Sequence, residues 1–173
     1  MKLSQRLSIA YVQTKFKLLT FFSEKKAAEH ALELFSTPFL KSKKKADPAN
    51  AEKIHFKLNE LRVAGYRWNH PQLKKILILH GFGSAAHKFE HYVAPLVDKG
   101  YEVLAFDAPA HGESEGSTTN AIEYSAMIKK VMEEFGPVQG FIAHSFGGIA
   151  LSLALENWPH DENTRIVFIA PAT

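Results

Sequence analysis

Apolar positions recur along this chain in three different rhythms, each with its own stretch. From residue 3 to 35 the steps are three and four. Leu3, Leu7, Ala10, Tyr11, Thr14, Leu18, Phe21 and Phe22 are continued by Ala27, Ala31, Leu34 and Phe35. That spacing predicts one or two amphipathic helices, ended by Pro38. Further on the step becomes two. Ile54, Phe56 and Leu58 alternate with His55 and Lys57, which predicts a half-buried strand. Leu61 to Trp68 predicts a second strand, with a bulge or bend at Gly65. Asn59-Glu60 makes a tight hairpin between the two, so the pairing is expected to be antiparallel.

The third rhythm has no alternation. Ile76–Leu79, Val103–Phe106, Phe141–Ala143 and Ile166–Ile169 are continuous apolar runs, the mark of strands buried on both faces. Helical patterns lie between them. One carries Phe89, Val93, Leu96 and Val97 on a face, one runs from Asn120 to Phe135, and one from Gly148 to Glu156. Asn120 and Glu123 are spaced as a capping box. Strands alternating with helices predict an α/β fold, a mostly parallel sheet with helices on both faces and an antiparallel N-terminal hairpin. The division expected is residues 1–40 as amphipathic helices, 41–50 as a basic linker and 51–173 as the α/β core. Lys41-Ser42-Lys43-Lys44-Lys45, followed by Asp47-Pro48, gives the linker its repelling charges and its break in regular structure.

Composition narrows the function classes. The 173 residues suffice for one domain with a sizeable core, and 46% hydrophobic with 23% charged residues is ordinary for a globular protein. No cysteine is present, which excludes disulfides, thiolate catalysis and cysteine metal sites and fits a cytoplasmic location. The net charge of +3 hides an asymmetry: residues 1–75 hold 16 Lys+Arg against 6 Asp+Glu, and residues 76–173 hold 5 against 12. A solvated lysine-rich helix face accounts for the basic half better than an anionic partner does, and no nucleic-acid partner is expected. No apolar run reaches the roughly 18 residues that span a bilayer, since Lys15 and Lys17 interrupt the stretch from Leu7 to Phe22.

In a parallel sheet, ligands bind beyond the carboxyl ends of the strands. The informative residues are therefore His80-Gly81-Phe82-Gly83-Ser84, Asp107-Ala108-Pro109-Ala110-His111-Gly112-Glu113-Ser114 and Ala143-His144-Ser145-Phe146-Gly147-Gly148, all expected on one edge. In the third stretch a serine stands between a buried strand and a helix, with small residues two before and two after. A nucleophile elbow needs that arrangement, because its turn is so sharp that larger side chains would strike neighbouring backbone. The turn lifts the hydroxyl of Ser145 above the sheet and brings the Phe146 N–H and the helix N-terminus to the same spot.

Over about residues 50–173 the chain resembles the α/β-hydrolase family, with three motifs in the family's order. The resemblance implies Ser145 as catalytic nucleophile and the N–H groups of Phe82 and Phe146 as oxyanion hole. It implies His80, Gly81, Gly83, Asp107, His111 and Gly147 as supporting-loop residues. Ala110 and Ala143 stand where glycine is more usual. His144 is expected to pack rather than act as base. No metal or other cofactor is implied.

The resemblance also implies an acid and then a histidine after the serine. After Ser145 the chain offers only Glu156, His160, Asp161 and Glu162. The helix that follows the serine carries the chain about 15 Å away at roughly 1.5 Å per residue, which puts His160 and Asp161 at the opposite edge. The fold is therefore expected to be incomplete at its C-terminus, through a truncated sequence, cleavage or a split gene product in that order. The missing half of the fold would then be a partner, and the chain alone is expected to be inactive. Two principal readings stand. The first is a serine hydrolase cleaving an ester, thioester or related acyl bond of a small molecule, and the second a non-catalytic binding or scaffold protein of the same fold. A third, a protein held on a membrane by its basic helix, is less favoured, since amphipathic stripes more often pack on protein. Residues 3–35 are accordingly expected to pack on protein and not insert in lipid. Co-sedimentation with anionic liposomes that disappears on deleting residues 1–37 would refute this.

Overall fold

The computed structural model describes residues 3–38 and 47–172, and the side chains from Ala10 onward within them. Leu3 and Leu7 of the predicted stripe lie outside the described side chains, and the lysines of the predicted linker lie outside the described residues. Internal contacts divide the chain into residues 1–37 and 38–173. In the first unit α1 (Leu3–Phe22) and α2 (Glu24–Ser36) are separated by Ser23, whose extended backbone and hydroxyl cap α2 by accepting from the Lys26 N–H at 3.3 Å. Phe16 and His30 join the two helices with ring centroids 5.6 Å apart. Among the described residues no helix is long and apolar enough to cross a membrane.

The second unit is built on six strands: β1 (Glu52–Leu58), β2 (Leu61–Trp68), β3 (Lys75–Leu79), β4 (Glu102–Phe106), β5 (Gly140–His144) and β6 (Arg165–Ile169). They lie in the order β1-β2-β4-β3-β5-β6. β2 runs antiparallel to β1 and β4, and the remaining pairs are parallel. This is the expected mostly parallel sheet with an antiparallel N-terminal hairpin. Asn59 turns the hairpin at φ 52°, a left-handed conformation that asparagine tolerates.

From β3 the chain crosses one face to β4, through a 3-10 helix (Ala86–Tyr92) and the short α3 (Val93–Val97). It then returns by α4 (Ala121–Phe135) to β5 on the other side of β3, and α5 (Phe146–Leu155) follows β5. Right-handed crossovers in opposite directions put helices on opposite faces. Leu77, Leu104 and Phe141 pack towards α4 and α5, whereas Ile76, Ile78 and Val103 pack towards Phe89 and Val93. The sheet is thus covered on both sides, which is why its inner strands read as unbroken apolar runs. The reversal of strand order occurs at β3, and in open α/β sheets ligands bind beyond the carboxyl ends of the strands at such a switch point.

Two local expectations change. The predicted helix through Phe89 and Val97 is a 3-10 segment followed by one α turn. Pro95 explains this: it has no N–H, and its ring clashes with the carbonyl four residues back, so an α-helix cannot run continuously through His91. Gly65 makes no bulge, since Gly65 pairs with Ile54 on one side and Phe106 on the other in unbroken register. A Cβ there would lie 2.3 Å from Cδ1 of Phe106, whose ring also packs on Phe56 and Phe135 at centroid distances of 5.4 and 5.3 Å. Glycine is needed for that close approach. Gly65→Ala is expected to lower stability by about 1–3 kcal/mol, the usual cost of overpacking, measured by urea denaturation.

Candidate active site

Ser145 is the single residue between β5 and α5, at φ 49° and ψ −117°. For a residue with a Cβ this is a strained conformation, costing on the order of 1–3 kcal/mol. The serine occupies the N-cap position of α5, yet its side chain makes no capping bond. Its backbone is held instead. The Ser145 N–H donates to the Ile169 carbonyl at 3.1 Å, and its own carbonyl accepts from the Gly148 N–H at 2.8 Å. The small flanking residues have the predicted reason. Ala143 is fully buried, and a Cβ on Gly147 would stand 2.7 Å from the His80 carbonyl oxygen and 3.0 Å from that of Leu79.

The loops after β3 and β4 grip each other. The His80 Nε2 accepts from the Ala108 N–H at 2.9 Å, while its Nδ1 lies 2.8 Å from the Gly81 carbonyl. In the opposite sense, the His111 Nε2 accepts from the Gly83 N–H at 2.9 Å, and its Nδ1 lies 3.0 Å from the Pro109 carbonyl. A carbonyl can only accept, so both rings carry their proton on Nδ1 and are neutral. Asp107 anchors the second loop. Its carboxylate accepts from the Ala86 N–H at 2.7 Å and from the Glu113 N–H at 2.8 Å, and the Ser114 hydroxyl donates to its carbonyl. Gly112, at φ 49°, is required beside it: a Cβ there would lie 2.1 Å from the Asp107 carboxylate.

Burial shapes the electrostatics. His80 is fully enclosed, and burial lowers its pKa to about 3, with the neighbouring His111 adding to the shift. Burial raises the Asp107 pKa, and the hydrogen bonds from Glu113 and Ala86 work against that rise. Burial likewise raises Tyr124, whose hydroxyl donates to the His80 carbonyl at 3.1 Å.

The structure therefore brings His80, Gly81, Phe82, Gly83, Asp107, His111, Ser145, Phe146 and Gly147 to one edge of the sheet. A Cβ on Gly81 would meet the His144 ring at 2.7 Å and the Ser145 Cβ at 3.1 Å, so the first loop lies directly on the elbow. The Phe82 and Phe146 rings meet edge to face at 5.6 Å. Neither residue's N–H has an acceptor among the described residues. His144 packs 5.8 Å from the Phe89 ring, and its buried Nδ1 has no hydrogen-bond partner among the described residues. His160 and Asp161 lie before β6, where Arg165 pairs with Gly140 at the start of β5, and so at the far edge. Ala110 adopts φ 66°, which is why glycine is usual there. Among the described residues no cluster of His, Asp and Glu is arranged to hold a metal. Sequence reasoning missed Tyr124, and it named Gly112 without the contact with Asp107 that requires glycine there. The one available signal was a tyrosine in the apolar stripe of α4.

The chain belongs to the alpha/beta hydrolase fold family, whose model matches residues 74–171. Over 106 residues it is 33% identical to the uncharacterized hydrolase YugF of Bacillus subtilis (strain 168), covering 58% of this chain and 38% of that protein. Over 118 residues it is 26% identical to the putative methylesterase 15, chloroplastic, of Arabidopsis thaliana, covering 65% of this chain and 25% of that protein. Among solved structures, a thioesterase domain from the curacin biosynthetic pathway superposes with a TM-score of 0.60 at 21% identity, over 70% of this chain and 46% of that one. This last likeness concerns the fold. The chain spans well under half the length of each curated relative.

A pH dependence follows from His80. Its folded pKa of about 3 lies below its ordinary 6.5, so the stability due to its neutral form is fully present above pH 6.5. That stability is lost as the pH falls towards 3, at up to about 1.4 kcal/mol per pH unit. Asp107, raised, contributes with the opposite sign and partly offsets the loss. Urea midpoints are expected to fall between pH 7 and pH 4, and to fall less in His80→Gln, which keeps an acceptor near the Nε2 position but does not titrate.

Proposed function

We propose that Ser145 is the nucleophile of a serine hydrolase that cleaves an ester, thioester or related acyl bond of a small-molecule substrate. The observation that carries this reading is the strained left-handed serine at the head of α5, whose hydroxyl caps nothing. Strain of this kind persists only where the surroundings enforce it, and a serine used merely as a helix cap has no need of it. The Ser145 oxygen attacks the substrate carbonyl carbon, and the carbonyl oxygen becomes an anion. The N–H groups of Phe82 and Phe146, which have no other acceptor among the described residues, receive that charge. The proton of the Ser145 hydroxyl passes to a general base and from it to the leaving group, so that collapse expels the alcohol or thiol, and water then frees the acid from the acyl-serine. The kinship with an uncharacterized hydrolase and a putative methylesterase favours the same reading.

A serine hydroxyl also needs a base. No histidine is hydrogen-bonded to Ser145 among the described residues, so the acid and histidine are proposed to come from sequence beyond residue 173. The same observation favours the second reading, a non-catalytic binding protein, if no base is ever supplied. Prolonged incubation of residues 1–173 with excess fluorophosphonate is expected to modify Ser145 slowly, detected by mass spectrometry of peptides. No adduct is expected in Ser145→Ala, and an adduct on a different residue would refute the assignment. Residues 1–173 are also expected to hydrolyse p-nitrophenyl esters orders of magnitude more slowly than a complete triad enzyme. Two donors alone leave only about 10³–10⁴-fold acceleration over water. Rapid turnover that depends on Ser145 would show that the chain already contains its base.

A further inference from the structure

Five aromatic side chains close a circuit beside Ser145. Ring centroids lie 5.1 Å apart from His80 to His111, 5.3 Å from His111 to Phe82 and 5.6 Å from Phe82 to Phe146. Two steps of 5.8 Å, from Phe146 to Tyr124 and from Tyr124 back to His80, complete it. Aromatic rings attract one another at such separations. Three members are interior, His80 and His111 at 1% exposed and Tyr124 at 0%. The other two reach solvent, Phe82 at 40% exposed and Phe146 half-buried. These two residues flank the serine. Phe146 follows it in the chain, and Phe82 follows Gly81, where an added Cβ would lie 3.1 Å from the Ser145 Cβ. The circuit has no polar atom left for a ligand. Both ring nitrogens of His80 and of His111 are engaged with backbone, and the Tyr124 hydroxyl donates to the His80 carbonyl. What Phe82 and Phe146 present beside the serine is therefore apolar surface, backed by side chains whose own hydrogen bonds are made.

We infer that the Phe82 and Phe146 rings select an acyl group that is apolar and uncharged, alkyl or aryl, and reject one that carries a carboxylate, an amine or an ether oxygen beside them. A polar group laid on these rings loses water and gains no partner, whereas an alkyl or aryl group gains by leaving water. The two residues divide the work. Their N–H groups meet the developing charge, and their side chains leave the neighbouring surface to an apolar group. The inference rests on the reading of Ser145 as nucleophile and gives it a substrate class, esters or thioesters of apolar carboxylic acids.

The test compares two phosphonofluoridates on residues 1–173, alike except that one carries a butyl group on phosphorus and the other a methoxyethyl group of the same length. Each reaction forms the bond from the Ser145 oxygen to phosphorus, breaks the P–F bond and releases fluoride and the hydroxyl proton. The retained group is thus the one difference, and each rate is divided by that reagent's rate with hydroxide. The butyl reagent is expected to label Ser145 about fivefold faster or more, because the ether oxygen is left without a partner. In Phe82→Ala and in Phe146→Ala, checked for folding by amide spectra, the preference is expected to shrink to about twofold or less as apolar surface is removed. No preference in the wild type, or an undiminished preference in both folded variants, would overturn the inference. A second arm needs no reaction and no variant. Butyl methyl ketone, which a serine cannot cleave, is expected to shift the Phe82 and Phe146 ring signals saturably in protein labelled with ¹³C-phenylalanine. Levulinate, a ketone of similar length that ends in a carboxylate, is expected not to shift them. Shifts as large with levulinate, or none with the apolar ketone, would overturn the inference. Absence of labelling by both phosphonofluoridates would sink the nucleophile assignment instead, and leave the ring signals to decide the apolar preference.

Discussion

The close approach of the elbow to the end of β3 is the constraint on which this edge of the protein depends. Gly147 passes the His80 carbonyl so tightly that a single added carbon would sit 2.7 Å from the oxygen. That contact sets where α5 begins. It forces the one intervening residue, Ser145, into a left-handed conformation that a side chain ordinarily avoids. The strain is held by backbone hydrogen bonds on both sides of the serine and by an apolar sheet that leaves the chain no room to relax. The serine hydroxyl is not used as a cap.

Around this point the structure gathers four of its buried polar side chains. His80, Asp107, His111 and Ser114 are each nearly inaccessible. Buried polar groups are costly unless they are paired, and here each is paired with backbone. Their hydrogen bonds replace the regular ladder that ends where the strands end. The result is two irregular loops, after β3 and β4, held against each other by directional contacts, on a scaffold held by apolar packing. A preorganised site needs that combination, because N–H donors are useful to a developing charge only if they do not have to move to meet it.

The fold was legible because its signals are local. Period-two alternation, unbroken apolar runs and the serine between small residues each follow from which faces of an element are buried. The order of those signals along the chain sufficed for the architecture and for the three loops at one edge. The departures also had local causes that are visible afterwards. Pro95 breaks the helix between β3 and β4, and Gly65 clears space for the Phe106 ring instead of bending a strand.

What the sequence determined by itself, then, was the set of elements, the edge at which chemistry-bearing residues collect and the steric demand for small residues around Ser145. These depend on neighbours a few positions apart and on strand–helix alternation. Tertiary structure alone decided the crossed pairing of His80 with Ala108 and His111 with Gly83, the tautomer of each ring, the Tyr124 contact with the His80 carbonyl and the need for glycine at 112. These are contacts between residues brought together only when β3 and β4 lie side by side. Hydrogen-bond direction is a property of two groups in space, and no periodicity along a chain encodes it.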